Sequence, residues 1–160
     1  RRGLARVAEE ELIHERLLRR VRAALPPPAP DRELRRALLR FYHGIAQTDI
    51  GLHLASIAAL DSAVCVILAA LLEPDRVLAR EPAVATIFRR IQRDEAGHVS
   101  LSRRLAAELV HRDAIGVAAE KARLGLVGVL ARRGAQFERL SIDAGRLFAR
   151  IAHVPNGLFR

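Results

Sequence analysis

Glu11, His14, Asp61, Glu95 and His98 are the side chains whose types and spacing could do chemistry together. Glu11-Leu-Ile-His14 and Glu95-Ala-Gly-His98 each repeat a carboxylate and an imidazole three residues apart, a step that stacks both groups on one face of a helix. Asp61 adds a third carboxylate from a separate segment. Three carboxylates and two imidazoles suit a divalent cation that prefers oxygen and nitrogen donors.

The stretches around these residues alternate in steps of three and four. Leu4, Val7, Glu11, His14, Leu18, Val21 and Leu25 form one seam. Ile50, Leu54, Ile57, Asp61, Val64, Leu68 and Leu71 form a second, and Phe88, Ile91, Glu95, His98, Ser102, Leu105 and Leu109 a third. Apart from the five ionisable groups, these positions are almost wholly apolar, as on the core faces of amphipathic helices. Buried charges there cost several kcal/mol each, as an order of magnitude, unless something compensates. A buried salt-bridge cluster is the metal-free alternative, but three carboxylates repel one another without a strong cation. Structural zinc prefers a closed Cys/His set, so iron fits better, with manganese as the other candidate.

The helices that must carry these groups are marked by their ends. The first runs over Leu4–Leu25 and stops at the prolines at 26, 27, 28 and 30. Asp31 is expected to cap a second helix reaching about Gln47, and a third spans Gly51–Glu73 before Pro74. Pro82 opens a fourth that continues to about His111. Two further helical segments, Ala114–Arg133 and Gln136–His153, precede the Val154-Pro155-Asn156-Gly157 stop. A short turn makes the third and fourth helices antiparallel and sets Asp61 and Glu95 at one height. The long connection over residues 26–50 can return the chain so that Glu11 joins the same layer. Glu-x-x-His alone is a weak signal. A third instance, Glu108-Leu-Val-His111, lies about 220° around its helix from Glu95 and falls on the solvated face.

The two seam pairs, with Glu10 and Asp94 immediately before their glutamates, resemble the paired motifs of ferritin-like di-iron proteins. These include bacterioferritins, rubrerythrins, ribonucleotide reductase small subunits and bacterial di-iron oxygenases. The resemblance covers residues 1–111 and implies an all-α, ferritin-like four-helix bundle with 26–50 as its crossover. Residues 112–160 become a C-terminal helical extension of the same domain. It further implies two iron ions bridged by Glu11 and Glu95. His98 and Asp61 would complete one ion, and His14 with a carboxylate from another helix the other. Glu10 and Asp94 would hydrogen-bond the ligand histidines across the bundle.

Two departures stand out. Asp61 occupies a place where Glu is commoner, and the bundle helix expected to precede helix one has no counterpart. Glu120 cannot replace its carboxylate, because it misses the layer by roughly 15 Å. The chain has no methionine and opens directly into helical pattern, so at least 25 to 35 upstream residues are expected, roughly one bundle helix and its turn. The rival is that the last two helices close the bundle themselves.

The function expected from the resemblance is an oxidoreductase acting with dioxygen or peroxide on a small-molecule substrate. Iron storage or peroxide scavenging is the second reading, although no Cys-x-x-Cys segment is present. A metal-free interaction module is the third. The net charge of +9 comes almost entirely from arginine spread over every helix, with few aromatics between, so nucleic acid is not an expected partner. Leu52–Leu72 contains His53, Ser56, Asp61 and Ser62 and reads as a buried bundle helix, so no membrane is expected either. Cys65 is alone and apolar-flanked, which suits the core of a cytoplasmic protein, monomeric or homodimeric. His53 is expected to be core or partner-facing rather than a ligand, and Tyr42, beside His43 in the connection, an ordinary packed tyrosine.

Overall fold

The computed structural model describes residues 2–27 and 29–154. The expected stop at Pro155-Asn156-Gly157 and the proline at 28 lie outside them. Among the described residues every regular element is helical: α1 (Arg2–Ala23), α2 (Arg32–Ile45), α3 (Ile50–Leu71), α4 (Pro82–Leu109), α5 (Arg112–Leu130), α6 (Gly134–Arg139) and α7 (Ala144–Ala152), with short 3-10 turns at Leu78–Arg80 and Ala131–Arg133.

The helix starts follow from their caps. Asp31 accepts a hydrogen bond from the backbone N–H of Leu34 at 2.8 Å, and Asp49 accepts one from Leu52 at 2.9 Å. Pro82 stands at the first position of α4, where its missing N–H costs nothing. The expected single segment over Gln136–His153 is instead broken into α6 and α7. Ser141 there has φ of 60°, in the left-handed region, and Asp143 caps α7 by accepting from Arg146 N–H at 2.7 Å.

α3 is the axle of the fold. It packs along α4 on one side and α5 on the other, while α2 and α7 close over α5. Its buried faces are largely alanine: Ala59 shares a cluster with Ala119, Ala122 and Phe41, Ala63 and Ala70 share one with Leu147 and Ile151, and Ala55 shares one with Ala106 and Ile115. Small residues let helix axes approach closely, and large side chains such as Ile151 and Leu147 each contribute about 1.5–3 kcal/mol by leaving water. Gly51 shows how close the approach is. A Cβ there would lie 2.1 Å from Val110 Cγ2 and 2.9 Å from Leu109 Cβ.

α3 is long and apolar enough to cross a membrane by length and composition, with a mean hydropathy of 2.3, yet half of that stretch is buried by its helical neighbours. α1 is only lightly embedded. It packs on α4 and has no extensive contact with α3 or with α5–α7. Its expected seam is therefore only partly covered: Leu4, Leu18 and Leu25 are exposed, and so is Leu12. Among the described residues α5 and α7 pack on α3 and on each other, and none of α5–α7 packs extensively on α1.

Candidate metal centre

Two helices, α1 and α4, build the centre as near mirror copies of one local motif. Each presents an acid, a glutamate and, one turn later, a histidine. Because α1 packs on α4, each motif completes the other. His14 Nε2 lies 3.1 Å from Asp94 Oδ2, and His98 Nε2 lies 2.9 Å from Glu10 Oε2. An ionised carboxylate only accepts hydrogen bonds, so Nε2–H is the donor in both pairs. The proton of each ring is thereby held on the outside, and each Nδ1 faces inward with a lone pair.

The glutamates meet those inward nitrogens. Glu95 brings Oε1 to 3.3 Å from His14 Nδ1 and Oε2 to 3.2 Å from His98 Nδ1. Glu11 brings Oε1 to 3.2 Å from His98 Nδ1 and Oε2 to 3.9 Å from His14 Nδ1. Each carboxylate thus offers one oxygen toward each imidazole. The two rings stand 5.7 Å apart between centroids. Donor atoms of Glu11, Glu95 and His98 all lie within 4.8 Å of one another.

The centre is buried on one side only. The side chains of His14, His98 and Glu95 are 4%, 2% and 7% exposed, whereas Glu11 is 52% exposed. Glu11, expected deep in a seam, is open to solvent because, among the described residues, no helix besides α4 packs extensively on α1. Asp61 is half-buried on α3 and acts on the same centre electrostatically, but it stands outside the tight group of donors. Nearby, Gln92 and Cys65 tie α4 to α3: the Gln92 amide donates to the Cys65 carbonyl at 3.2 Å, and the half-buried thiol points at the Gln92 carbonyl at 3.7 Å.

Electrostatics register the crowding. Burial, then the charge of Glu95, pushes the Asp61 carboxyl up to about 8. Burial and the charge of Glu11 likewise raise Glu95. Burial works against a charged His98, but the hydrogen bond to Glu10 and the charges of Glu95, Glu11 and Asp61 outweigh it, so its pKa is raised. Glu10 is lowered, chiefly by the hydrogen bond from His98 and then by Arg6.

Whether a cation fits is decided by the atoms left over. His14 Nδ1, His98 Nδ1 and Glu95 Oε2 are buried with no hydrogen-bond partner. Such orphaned groups are uncommon in folded proteins, and here they converge. Lone pairs aimed at lone pairs repel unless a cation or extra protons stand between them. The donors fit a metal ion.

Glu108 is exposed near the end of α4, and His111, expected within the same helix, is exposed beyond it at the N-cap of α5, because α4 stops at Leu109. Glu120 is exposed on α5 and takes no part. His43 and Tyr42 are exposed, and His53 is half-buried with an unpartnered Nδ1. Two arginines that the apolar seams do not single out also belong to the centre. Arg6 Nε pairs with Glu10 at 2.9 Å and Arg90 Nε with Asp94 at 3.8 Å, each arginine one turn before its acid. Their signal in the sequence is a duplicated Arg-x-x-x-acid-Glu-x-x-His pattern over Arg6–His14 and Arg90–His98. No protein family, curated protein or solved structure matches the chain, so the functional reading rests on this geometry.

Proposed function

We propose that this chain is a ferritin-like di-iron carboxylate protein, an oxidoreductase that uses dioxygen or peroxide. The observation that carries the reading is the convergence of two buried, unpartnered imidazole Nδ1 atoms on two glutamates, each offering one oxygen to each ring. In that arrangement Glu11, Glu95, His14, His98 and Asp61 would hold the pair of ions, with His14 at one end and His98 with Asp61 at the other. Imidazole with carboxylate favours iron or manganese over structural zinc.

A bound pair of iron ions supplies electron transfer and open positions at which an oxidant can be reduced. The chain's own residues do the rest. Glu10 and Asp94 hold both rings in the Nε2–H tautomer, so that both Nδ1 atoms are free to donate. Glu95, buried against α3, fixes the layer in which the donors lie. The exposed side of Glu11 is where a small molecule can reach the centre without displacing a helix.

Anaerobic titration of the full chain with ferrous iron, followed by metal analysis, tests this. About two ions per chain are expected, with an exchange-coupled signal in Mössbauer spectra after oxidation. A chain that retains no iron, or binds a single uncoupled ion, sinks the proposal.

A further inference from the structure

A cavity of about 150 Å³ opens where the end of α3 meets α7 and the connection before it. Ala70 of α3, Ile142 of the connection and Leu147 of α7 form its floor, and all three are buried. Ala70 lies nine residues beyond Asp61 on α3, roughly 14 Å by the helical rise, so the cavity stands apart from the acidic centre.

The rim of this cavity is charged, with arginines outnumbering acids. Both acids are already engaged. Glu73 accepts from Arg76 Nε at 3.1 Å and from its Nη2 at 2.6 Å. Asp143 caps α7 by accepting from the Arg146 backbone N–H at 2.7 Å. Arg76 also donates to the Ser141 carbonyl, which ties the turn after α3 to the connection before α7 and fixes that wall. Arg146 and Arg150 remain. They stand four residues apart on α7, on one face and about 6 Å apart along the helix. Among the described residues neither guanidinium has a hydrogen-bond or ion-pair partner. Exposed arginines ordinarily stay hydrated and bind nothing. These two differ in flanking one cavity with an apolar floor.

We propose that this cavity binds a small organic monocarboxylate with a compact apolar body, about the size of benzoate. The carboxylate pairs with Arg146 and Arg150, and the apolar body covers Ala70, Ile142 and Leu147. A planar guanidinium matches a carboxylate in both charge and geometry. A cavity of this volume accommodates one benzene-sized ring, whereas a nucleotide or a larger cofactor needs a pocket of several hundred Å³ as an order of magnitude. A bare inorganic anion would gain nothing from the apolar floor. The site does not depend on iron being bound at the acidic centre.

The test is a ligand-observed NMR titration of the full chain with benzoate, acetate and benzamide at constant ionic strength. Benzoate should bind saturably. Acetate, which lacks the apolar body, and benzamide, which lacks the charge, should each bind roughly tenfold more weakly or worse. Arg146→Gln and Arg150→Gln should each weaken benzoate binding by about tenfold or more. Both side chains are exposed, so both variants should fold, and melting curves without benzoate check this. Arg104→Gln removes the same charge from an exposed position on α4 and should bind benzoate as the parent does. No saturable binding of benzoate, acetate binding as tightly as benzoate, undiminished affinity in both α7 variants, or an equal loss in Arg104→Gln overturns the proposal.

Discussion

Glu10 on α1 accepts a hydrogen bond from His98 on α4 at 2.9 Å, across the helix pair and 88 residues along the chain. The bond fixes which nitrogen of His98 carries the proton and turns the other nitrogen toward Glu11 and Glu95. Asp94 does the same for His14 in the reverse direction. Each helix therefore orients the other's donor, and neither motif has the geometry alone.

Replacing these orienting acids while keeping their shape should show this. Glu10→Gln and Asp94→Asn are each expected to weaken iron binding by roughly 10–100-fold, with circular dichroism unchanged. An amide can also donate, so the ring can flip its tautomer and present N–H to the centre. Isothermal titration with ferrous iron gives the comparison. Unchanged affinity in both variants would show that the hydrogen bonds do not set the donors.

Glu95→Ala should abolish iron binding, while Glu108→Ala should leave it intact. Both residues lie on α4 and begin a Glu-x-x-His motif, although the second motif runs past the end of the helix at Leu109. Glu95 is buried and touches both imidazoles, and Glu108 faces solvent. Metal content of the two purified variants decides it, and equal losses would contradict the distinction between the inner and outer faces of α4.

That distinction is legible in the sequence, because the helical period alone assigns each residue to a face. The same reasoning places His14, Glu95 and His98 inside. It fails for Glu11, Leu4 and Leu18, because a seam shows which face is apolar and not whether a neighbour covers it. It also runs one helix through Leu140–Asp143. Helical spacing of apolar residues continues across that point, but Ser141 adopts a left-handed backbone and Asp143 restarts the helix. Asp143 is a capping signal in its own right, and periodicity outweighs it. The burial of Arg123 on α5 is invisible for the opposite reason: an arginine in an arginine-rich chain reads as surface.

Close helix approach makes a separate stability prediction. Gly51→Ala gains helix propensity of about 0.5–1 kcal/mol but drives a methyl into Val110 and the Leu109 Cβ. Overpacking of this kind typically costs about 1–3 kcal/mol, so net destabilisation is expected, read as a lower midpoint in urea. A midpoint equal to or above the parent's would mean that the α3–α4 junction can spread without cost.

For the metal-free protein the raised groups set the pH dependence. Asp61, normally near 3.8, is pushed up to about 8, and Glu95 is also raised. Between those values the folded state keeps protons that the unfolded state has released, so stability falls as pH rises from about 4 to 8. His98 has the same sign, since its raised pKa contributes stability below its ordinary value that is lost as pH rises through the folded one. Glu10, being lowered, opposes this only at the acid end. Melting temperature measured after chelation should therefore peak at mildly acidic pH. With iron bound the trend should reverse, because the ions take the place of the protons and bind better as pH rises. A metal-free curve that climbs steadily to pH 8 would contradict the assignment.

Asp61→Asn separates the two roles that this carboxyl would have. In the metal-free protein at pH 8 the native Asp61 is close to its raised pKa, and holding it unprotonated beside Glu95 and Glu11 costs stability. An amide of the same shape carries no charge to desolvate, so the variant should melt at a higher temperature than the parent at that pH, and the gap should close only below about pH 4, where Asp61 holds its proton in the folded and the unfolded chain alike. Iron should act in the opposite sense. The variant lacks the carboxylate expected to complete the ion beside His98, so added iron should stabilise it less than it stabilises the parent. Two melting curves per protein, with and without iron, decide the matter. Equal stabilisation of both by iron would remove Asp61 from the ligand set while leaving its pH effect in place, and a metal-free variant no more stable than the parent at pH 8 would show that Asp61 is better solvated than its position on α3 implies.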